Sequence, residues 1–330
     1  MSLTSRASTD LRVVRPAPDP STVRINGPWA HRDVSANGIR LHIAEAGSGP
    51  LVLLLHGFPE FWWAWRRQLT ALSDAGYRAV AMDLRGYGDS DKPPRGYDGW
   101  TLAGDVAGLV KALGGTRAHL VGHAWGGMIA WTAAALHPRL VASVTAISAP
   151  YPLALRAAVR RGLFRRRDSQ AAAIAQLFRA QLPLAPERGL VADDALVVER
   201  LLKQWGGPQW TVSPAFTEVA DADRAAMRVP GVAHSSLEYF RWALRSQLRG
   251  DGHRFAEELD RRLAVPAMQL HGSADPYLLE STARASREWL PPGVVYRSLA
   301  DVGHFPHHEA PDTVNDLLVE FLGRQHPPAS

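Results

Sequence analysis

Apolar residues along this chain alternate between two patterns. Short runs rich in apolar residues, continuous at Leu51-Val52-Leu53-Leu54-Leu55, recur at Ala79-Val80-Ala81-Met82, Ala118-His119-Leu120-Val121, Val141 to Ile147, Val265 to Leu270 and Val294 to Leu299. Such runs suit strands buried on both faces. Between them, Phe61 to Leu72, Trp100 to Leu113, Met128 to Leu136, Glu280 to Leu290 and Pro311 to Leu322 carry helical spacing. Repeated strand–helix units predict a mostly parallel sheet with helices on both faces, an α/β architecture. Ahead of them, Asp33 to Ala46 reads as a hairpin, because two alternating runs flank Ala36-Asn37-Gly38 and Asn-Gly suits a tight hairpin turn.

The pattern changes after Pro150. From Tyr151 to about Arg262 no strand is predicted; the stretch is rich in Ala, Arg, Leu and Trp and is broken by Pro183, Pro186, Pro208 and Pro214. It reads as a helical insertion. The expected organisation is an N-terminal arm at 1–28, an α/β core at 29–150 and 263–330, and a helical cap at 151–262.

Composition narrows this picture only a little. The 330 residues are 46% hydrophobic and 21% charged, ordinary for a globular chain and enough for a large core. There is no cysteine, which excludes disulfides and Cys-based metal sites and agrees with the cytoplasm, the expected compartment. The arm lacks an apolar segment of the kind a secretory leader needs, and no apolar run is long enough for a membrane span, so neither is expected. Part of the formal charge of +5 lies between Arg156 and Arg167. A basic run of this kind is commonly a solvated helix face, and without a stacking platform of aromatics no nucleic-acid partner is expected.

The candidate chemistry lies where runs end. Gly122-His123-Ala124-Trp125-Gly126-Gly127 follows one apolar run and precedes a helical stretch. A strand turning into a helix through G-x-X-x-G is a nucleophile elbow, whose glycines allow close backbone passage around a strained middle residue. The middle residue normally carries the attacking side chain. Here it is Ala124, which has none. Asp275 and His304 each follow a further run, giving the chain order nucleophile position, acid, base. In that arrangement Asp275 orients His304, His304 acts as general base, and Phe58 and Trp125 offer backbone N–H groups as an oxyanion hole. His304, His307, His308 and Glu309 also form a cluster, but its spacing is not that of a standard zinc site, and no metal is expected. The elbow is not a phosphate loop, since no Gly-Lys-Ser/Thr follows. Gly86 and Gly88 are expected to serve a loop turn, and Trp62, Trp63 and Trp125 to wall a pocket.

These residues carry a family likeness. His56-Gly57-Phe58-Pro59-Glu60, Asp83-Leu84-Arg85-Gly86-Tyr87-Gly88-Asp89-Ser90 and the elbow resemble the signatures of the epoxide hydrolases of the α/β-hydrolase superfamily. The likeness runs from about Val34 to Leu322 and is looser in the cap. It implies an α/β-hydrolase fold with an inserted helical cap, no organic cofactor, and a small to medium apolar substrate; it leaves oligomerisation open. In that family an elbow Asp opens the epoxide to form an ester, the His–acid pair activates water to hydrolyse it, and two cap tyrosines donate to the epoxide oxygen. By resemblance Asp275 is the acid, His304 the base, and Phe58 and Trp125 the oxyanion-hole positions. Trp62, Tyr151, Gln176, Tyr239 and Phe240 are the side chains expected to meet substrate.

The chain departs from the family where the covalent step occurs. Ala124 replaces the elbow Asp. Glu238-Tyr239-Phe240-Arg241 puts Phe240 where a ring-opening tyrosine is usual, and the other cap tyrosine has no clear match, with Gln176 near its place. Ala124 alone would suit an Asp→Ala change made to trap substrate; the missing tyrosines point instead to natural divergence. Three functions stay open: an epoxide hydrolase disabled at Ala124, a cofactor-free enzyme that uses Asp275–His304 as general base for cyclisation, elimination or isomerisation, and a non-catalytic binder of a hydrophobic ligand.

Overall fold

The computed structural model describes residues 17–163 and 169–325, apart from the side chains of 176 and 177. Eight strands form one sheet: β1 (Ala30–Ala36), β2 (Ile39–Ala46), β3 (Leu51–Leu55), β4 (Arg78–Met82), β5 (Ala118–His123), β6 (Val141–Ile147), β7 (Ala267–Gly272) and β8 (Val295–Leu299), in the spatial order β1-β2-β4-β3-β5-β6-β7-β8. The first two strands are the hairpin, turning at Asn37 and Gly38, both at positive φ, and β2 meets β4 antiparallel; β4, β3 and β5 to β8 run parallel. Every residue of β3 and β5 is buried, as a central strand covered on both faces requires.

Two expected elements shift. The strand read as starting at Val265 starts at Ala267, because Pro266 has no N–H to give a ladder. The helix read from Phe61 is a 3-10 turn, Trp62–Trp65, leading into a helix at Arg66–Asp74. Asp83 explains the turn: its buried carboxylate accepts from the Trp62 N–H at 3.0 Å and the Asp89 N–H at 3.0 Å. Gly88 passes so close that an added Cβ would lie 2.0 Å from Asp83 Oδ2. The Asp83–Ser90 signature is therefore a structural turn.

Between β6 and β7 the described residues form helices and no strand, chiefly Pro152–Gly162, Ala185–Trp205, Pro214–Met227, Val232–Arg245 and Gly250–Leu259. This cap lies over the C-terminal edge of the sheet, tied there by the Tyr239 hydroxyl, which donates to the Arg85 carbonyl at 2.7 Å. The described part of the N-terminal arm is packed: Val23 is buried and Arg24 reaches Asp89 at 2.6 Å and Asp33 at 2.7 Å. Residues 1–16 lie outside the described residues.

Candidate active site

The elbow is built as the motif demands. Ala124 follows β5 at φ 46° and ψ −110° and opens the helix Trp125–Leu136. Its N–H donates to the Ile147 carbonyl on β6 at 3.0 Å. A Cβ on Gly122 would lie 2.3 Å from the Gly126 carbonyl oxygen, and one on Gly126 only 2.1 Å from the Leu55 carbonyl oxygen. Only glycine lets these backbones pass so closely. Positive φ at a non-glycine residue costs about 1–3 kcal/mol. The strain is kept although the side chain it presents is a methyl group.

Asp275 and His304 stand on the loops after β7 and β8. Asp275 Oδ2 lies 2.8 Å from His304 Nδ1, and both side chains are fully buried. The other oxygen, Oδ1, accepts from the Tyr277 N–H at 2.8 Å and the Leu278 N–H at 3.0 Å. Burial opposes the Asp275 charge, but the His304 ring and these bonds outweigh it and hold the carboxyl below its ordinary value. An ionised carboxylate only accepts, so Nδ1 carries the proton and the lone pair of the neutral ring sits on Nε2. Nε2 is buried and has no hydrogen-bond partner. Burial lowers the proton affinity of His304, and Asp275 restores it only in part. At neutral pH the ring is therefore an uncharged base with its acceptor atom free.

The backbone of His304 is held from two sides. Its N–H donates to the Trp205 carbonyl at 2.9 Å, at the end of a cap helix, and its carbonyl accepts from His123 Nε2 at 2.8 Å. The next layer centres on Glu60, which is buried. Glu60 Oε2 takes the Gly57 N–H at 2.9 Å and His123 Nδ1 at 2.6 Å, while Oε1 takes His307 Nε2 at 2.8 Å. Burial alone would raise the Glu60 pKa, but His123 and His307 drive it well below the usual range. Burial likewise disfavours charge on His123, and Glu60 reverses this to raise its pKa.

The histidine-rich cluster does not converge on one point. His304 faces Asp275 and His307 faces Glu60, while Glu309 accepts backbone N–H groups of Gly207, Gly303 and Phe305 at 3.0, 2.7 and 3.0 Å. Glu60, His123 and His307 do bring metal-capable atoms within 4.8 Å of one another, each engaged in the hydrogen bonds just given.

A cavity of about 500 Å³ lies between cap and core, with an apolar wall that includes Trp125, Phe240, Tyr277 and Leu278. Phe240 meets both Phe58 and Trp125 edge-on at 5.2 Å, so these rings close the inner end of the cavity near the elbow. Tyr277 links cavity and base, its ring lying 5.0 Å from that of His304.

Several expected substrate contacts are corrected. Trp62 is wholly buried away from the cavity, where its Nε1 donates to the Val23 carbonyl at 2.8 Å. Trp63 stacks on Phe61 and carries the Arg66 guanidinium at 3.9 Å from its ring. Tyr151 spends its hydroxyl on the Leu259 carbonyl at 2.8 Å, and Tyr239 on Arg85, so neither offers a hydroxyl to the cavity. The side chain of Gln176 lies outside the described residues. Glu60, His123, Trp205 and Tyr277 are the contributors the sequence reading did not single out. The one local signal was His123, a second polar residue beside His119 in a wholly buried strand.

Among the described residues no helix is long and apolar enough to cross a membrane. Residues 50–311 match the family model for the alpha/beta hydrolase fold. An epoxide hydrolase of Caballeronia sordidicola is 34% identical over 91% of this chain and 96% of its own. The AB hydrolase superfamily protein YfhM of Bacillus subtilis is 33% identical over 88% and 97%. The crystal structure of a Bacillus megaterium epoxide hydrolase in complex with an inhibitor superposes with a TM-score of 0.75 at 27% identity, covering 88% of this chain and 100% of that one.

Proposed function

The chain belongs to the epoxide hydrolase family of the alpha/beta hydrolase fold, and we propose that within it this protein works by general-base catalysis without a covalent intermediate. The observation that carries this reading is the split between the two halves of the family's chemistry. The ester-forming half lacks its reagents: Ala124 has no nucleophile, Phe240 has no hydroxyl, and the hydroxyls of Tyr151 and Tyr239 are bonded to backbone carbonyls. The water-activating half is complete, with the Asp275–His304 bond at 2.8 Å and Nε2 free.

In this reading a small to medium apolar substrate occupies the cavity beneath a cap taken as residues 151–262. His304 Nε2 removes a proton from a water or from an acidic C–H of the substrate, and Asp275 stabilises the imidazolium formed. Where water attacks a strained ring, a C–OH bond forms as a ring C–O bond breaks. The ring oxygen then takes the proton back from His304. The backbone N–H groups of Phe58 and Trp125 would hold the charge that develops on that oxygen.

The test is a panel of epoxides and of small apolar esters and ketones, assayed with the native chain, His304→Ala and Ala124→Asp. The expected result is an activity that falls by about 10²–10⁴-fold in His304→Ala and does not rise in Ala124→Asp. An activity indifferent to His304 would overturn it. A second reading is an epoxide hydrolase disabled at one atom group, favoured by the intact elbow with Ala124 at φ 46°. Diol formed only by Ala124→Asp would select that reading.

A further inference from the structure

The cavity wall carries almost no charge. Among the described residues its only ionisable groups besides the buried Tyr277 are Arg156 and Arg160, both on the cap helix Pro152–Gly162. They are four residues apart and so share one face of that helix. No carboxylate acts on Arg156 among the described residues, and its Nε is buried without a hydrogen-bond partner. Both features are unfavourable in the protein alone. Like charges at this spacing repel, and a buried donor left without a partner is destabilising. The repulsion from Arg160, with burial as the larger cause, lowers the Arg156 pKa.

The remainder of the wall is mainly hydrocarbon and aromatic, from Leu155 and Val159 beside the arginines to Trp125 and Phe240, with Thr132, Gln181, Ser246 and Gln247 as its uncharged polar members. A cavity of about 500 Å³ is within the ordinary range for small-molecule sites. Paired guanidinium groups favour a planar oxyanion, which they grip through forked N–H donors. We propose that the cavity binds an alkyl amphiphile with a carboxylate head, the head held by Arg156 and Arg160 and the tail directed towards Trp125 and Phe240. This rests on the cavity being the ligand site proposed above, and it assigns the first part of the basic run from Arg156 a role in recognition. An anionic head at one end fixes which carbon of the tail reaches Trp125 and Phe240, so the arginines would set the placement of the chain as well as its affinity.

The experiment compares decanoate, decan-1-ol and decyltrimethylammonium on the full chain by calorimetry and by tryptophan emission, since Trp125 and Trp242 both line the cavity. Decanoate is expected to bind about tenfold more tightly than the alcohol at low salt, and the ammonium more weakly than either. In Arg156→Gln/Arg160→Gln the preference for decanoate should vanish while decanol binding is kept. Arg160→Glu, at an exposed position that tolerates change, should weaken decanoate alone. Equal binding of acid and alcohol to the native chain, a preference unchanged in the double variant, or no binding of any alkyl probe would each overturn the proposal. Binding is read without turnover. Selective decanoate binding by a chain whose activity ignores His304 would sink the proposed reaction and leave the anion site standing.

Discussion

His123 Nε2 lies 2.8 Å from the backbone carbonyl oxygen of His304. A carbonyl can only accept, so Nε2 donates. The other nitrogen, Nδ1, lies 2.6 Å from Glu60 Oε2, a carboxylate held well below its ordinary pKa. Both ring nitrogens are then donors, and His123 is an imidazolium. A buried ion pair thus underlies the candidate base and fixes its main chain. Removing one partner of such a pair costs about 3–5 kcal/mol. Glu60→Ala should therefore lower the unfolding free energy by about that much in urea titrations, and should reduce kcat more than it alters substrate binding. A loss below about 1 kcal/mol would show that the pair is not formed.

The same pair predicts a pH window. Glu60 has a depressed pKa in the folded chain, so its contribution is present above the unfolded value of about 4.3 and is lost as pH falls through the folded one. His123 has a raised pKa, so its contribution is present below about 6.5 and is lost as pH rises through the folded value. The stability difference between the native chain and Glu60→Ala should be largest between about pH 4.3 and 6.5 and shrink on both sides. Urea denaturation at a series of pH values measures it; a difference independent of pH would contradict the assignment.

Burial keeps His304 neutral to a lower pH than a free histidine, with Asp275 opposing it. The acid limb of kcat/KM should accordingly fall below about pH 6.5. Asp275→Asn removes the charge that supports protonation, so the limb should move further towards acid, and the rate should drop by about 10²–10⁴-fold because the tautomer is no longer fixed. A limb that moves towards alkaline pH would refute this electrostatic account.

Trp62 separates packing from recognition. It is fully buried, holds Val23 through its Nε1 and packs against Trp29 and His31. Trp62→Ala should cost about 3–5 kcal/mol of stability and loosen residues 17–28 to proteolysis. Ligand affinity, measured on the folded fraction, should stay unchanged. A selective loss of affinity would return this residue to the pocket.

These particulars show what a sequence can and cannot disclose. The sheet was legible because buried parallel strands are nearly pure apolar runs, and the elbow because its glycines are required locally by contacts as short as the 2.1 Å that a Gly126 Cβ would make. Three neighbouring tryptophans, by contrast, look alike in sequence. Only the folded chain shows that Trp62 faces the arm while Trp63 lies against Phe61 and Arg66. Tyr239 and Phe240 are adjacent on a helix and point about 100° apart, which sends the hydroxyl to Arg85 and the bare ring to the cavity. The supports of His304 were not legible at all. His123, Trp205 and Glu60 are far from it in sequence and meet it only through tertiary packing.

The elbow keeps its positive φ at Ala124 with no reagent to present. Its shape is set by the glycines and the flanking strands, so it does not depend on what the middle side chain is. A single base substitution can turn an alanine codon into an aspartate codon, whereas rebuilding a lost elbow would require several coordinated changes. The chain thus preserves the part that would be hard to reinvent, while covalent turnover would also need the ring-opening hydroxyls that Phe240, Tyr151 and Tyr239 do not offer.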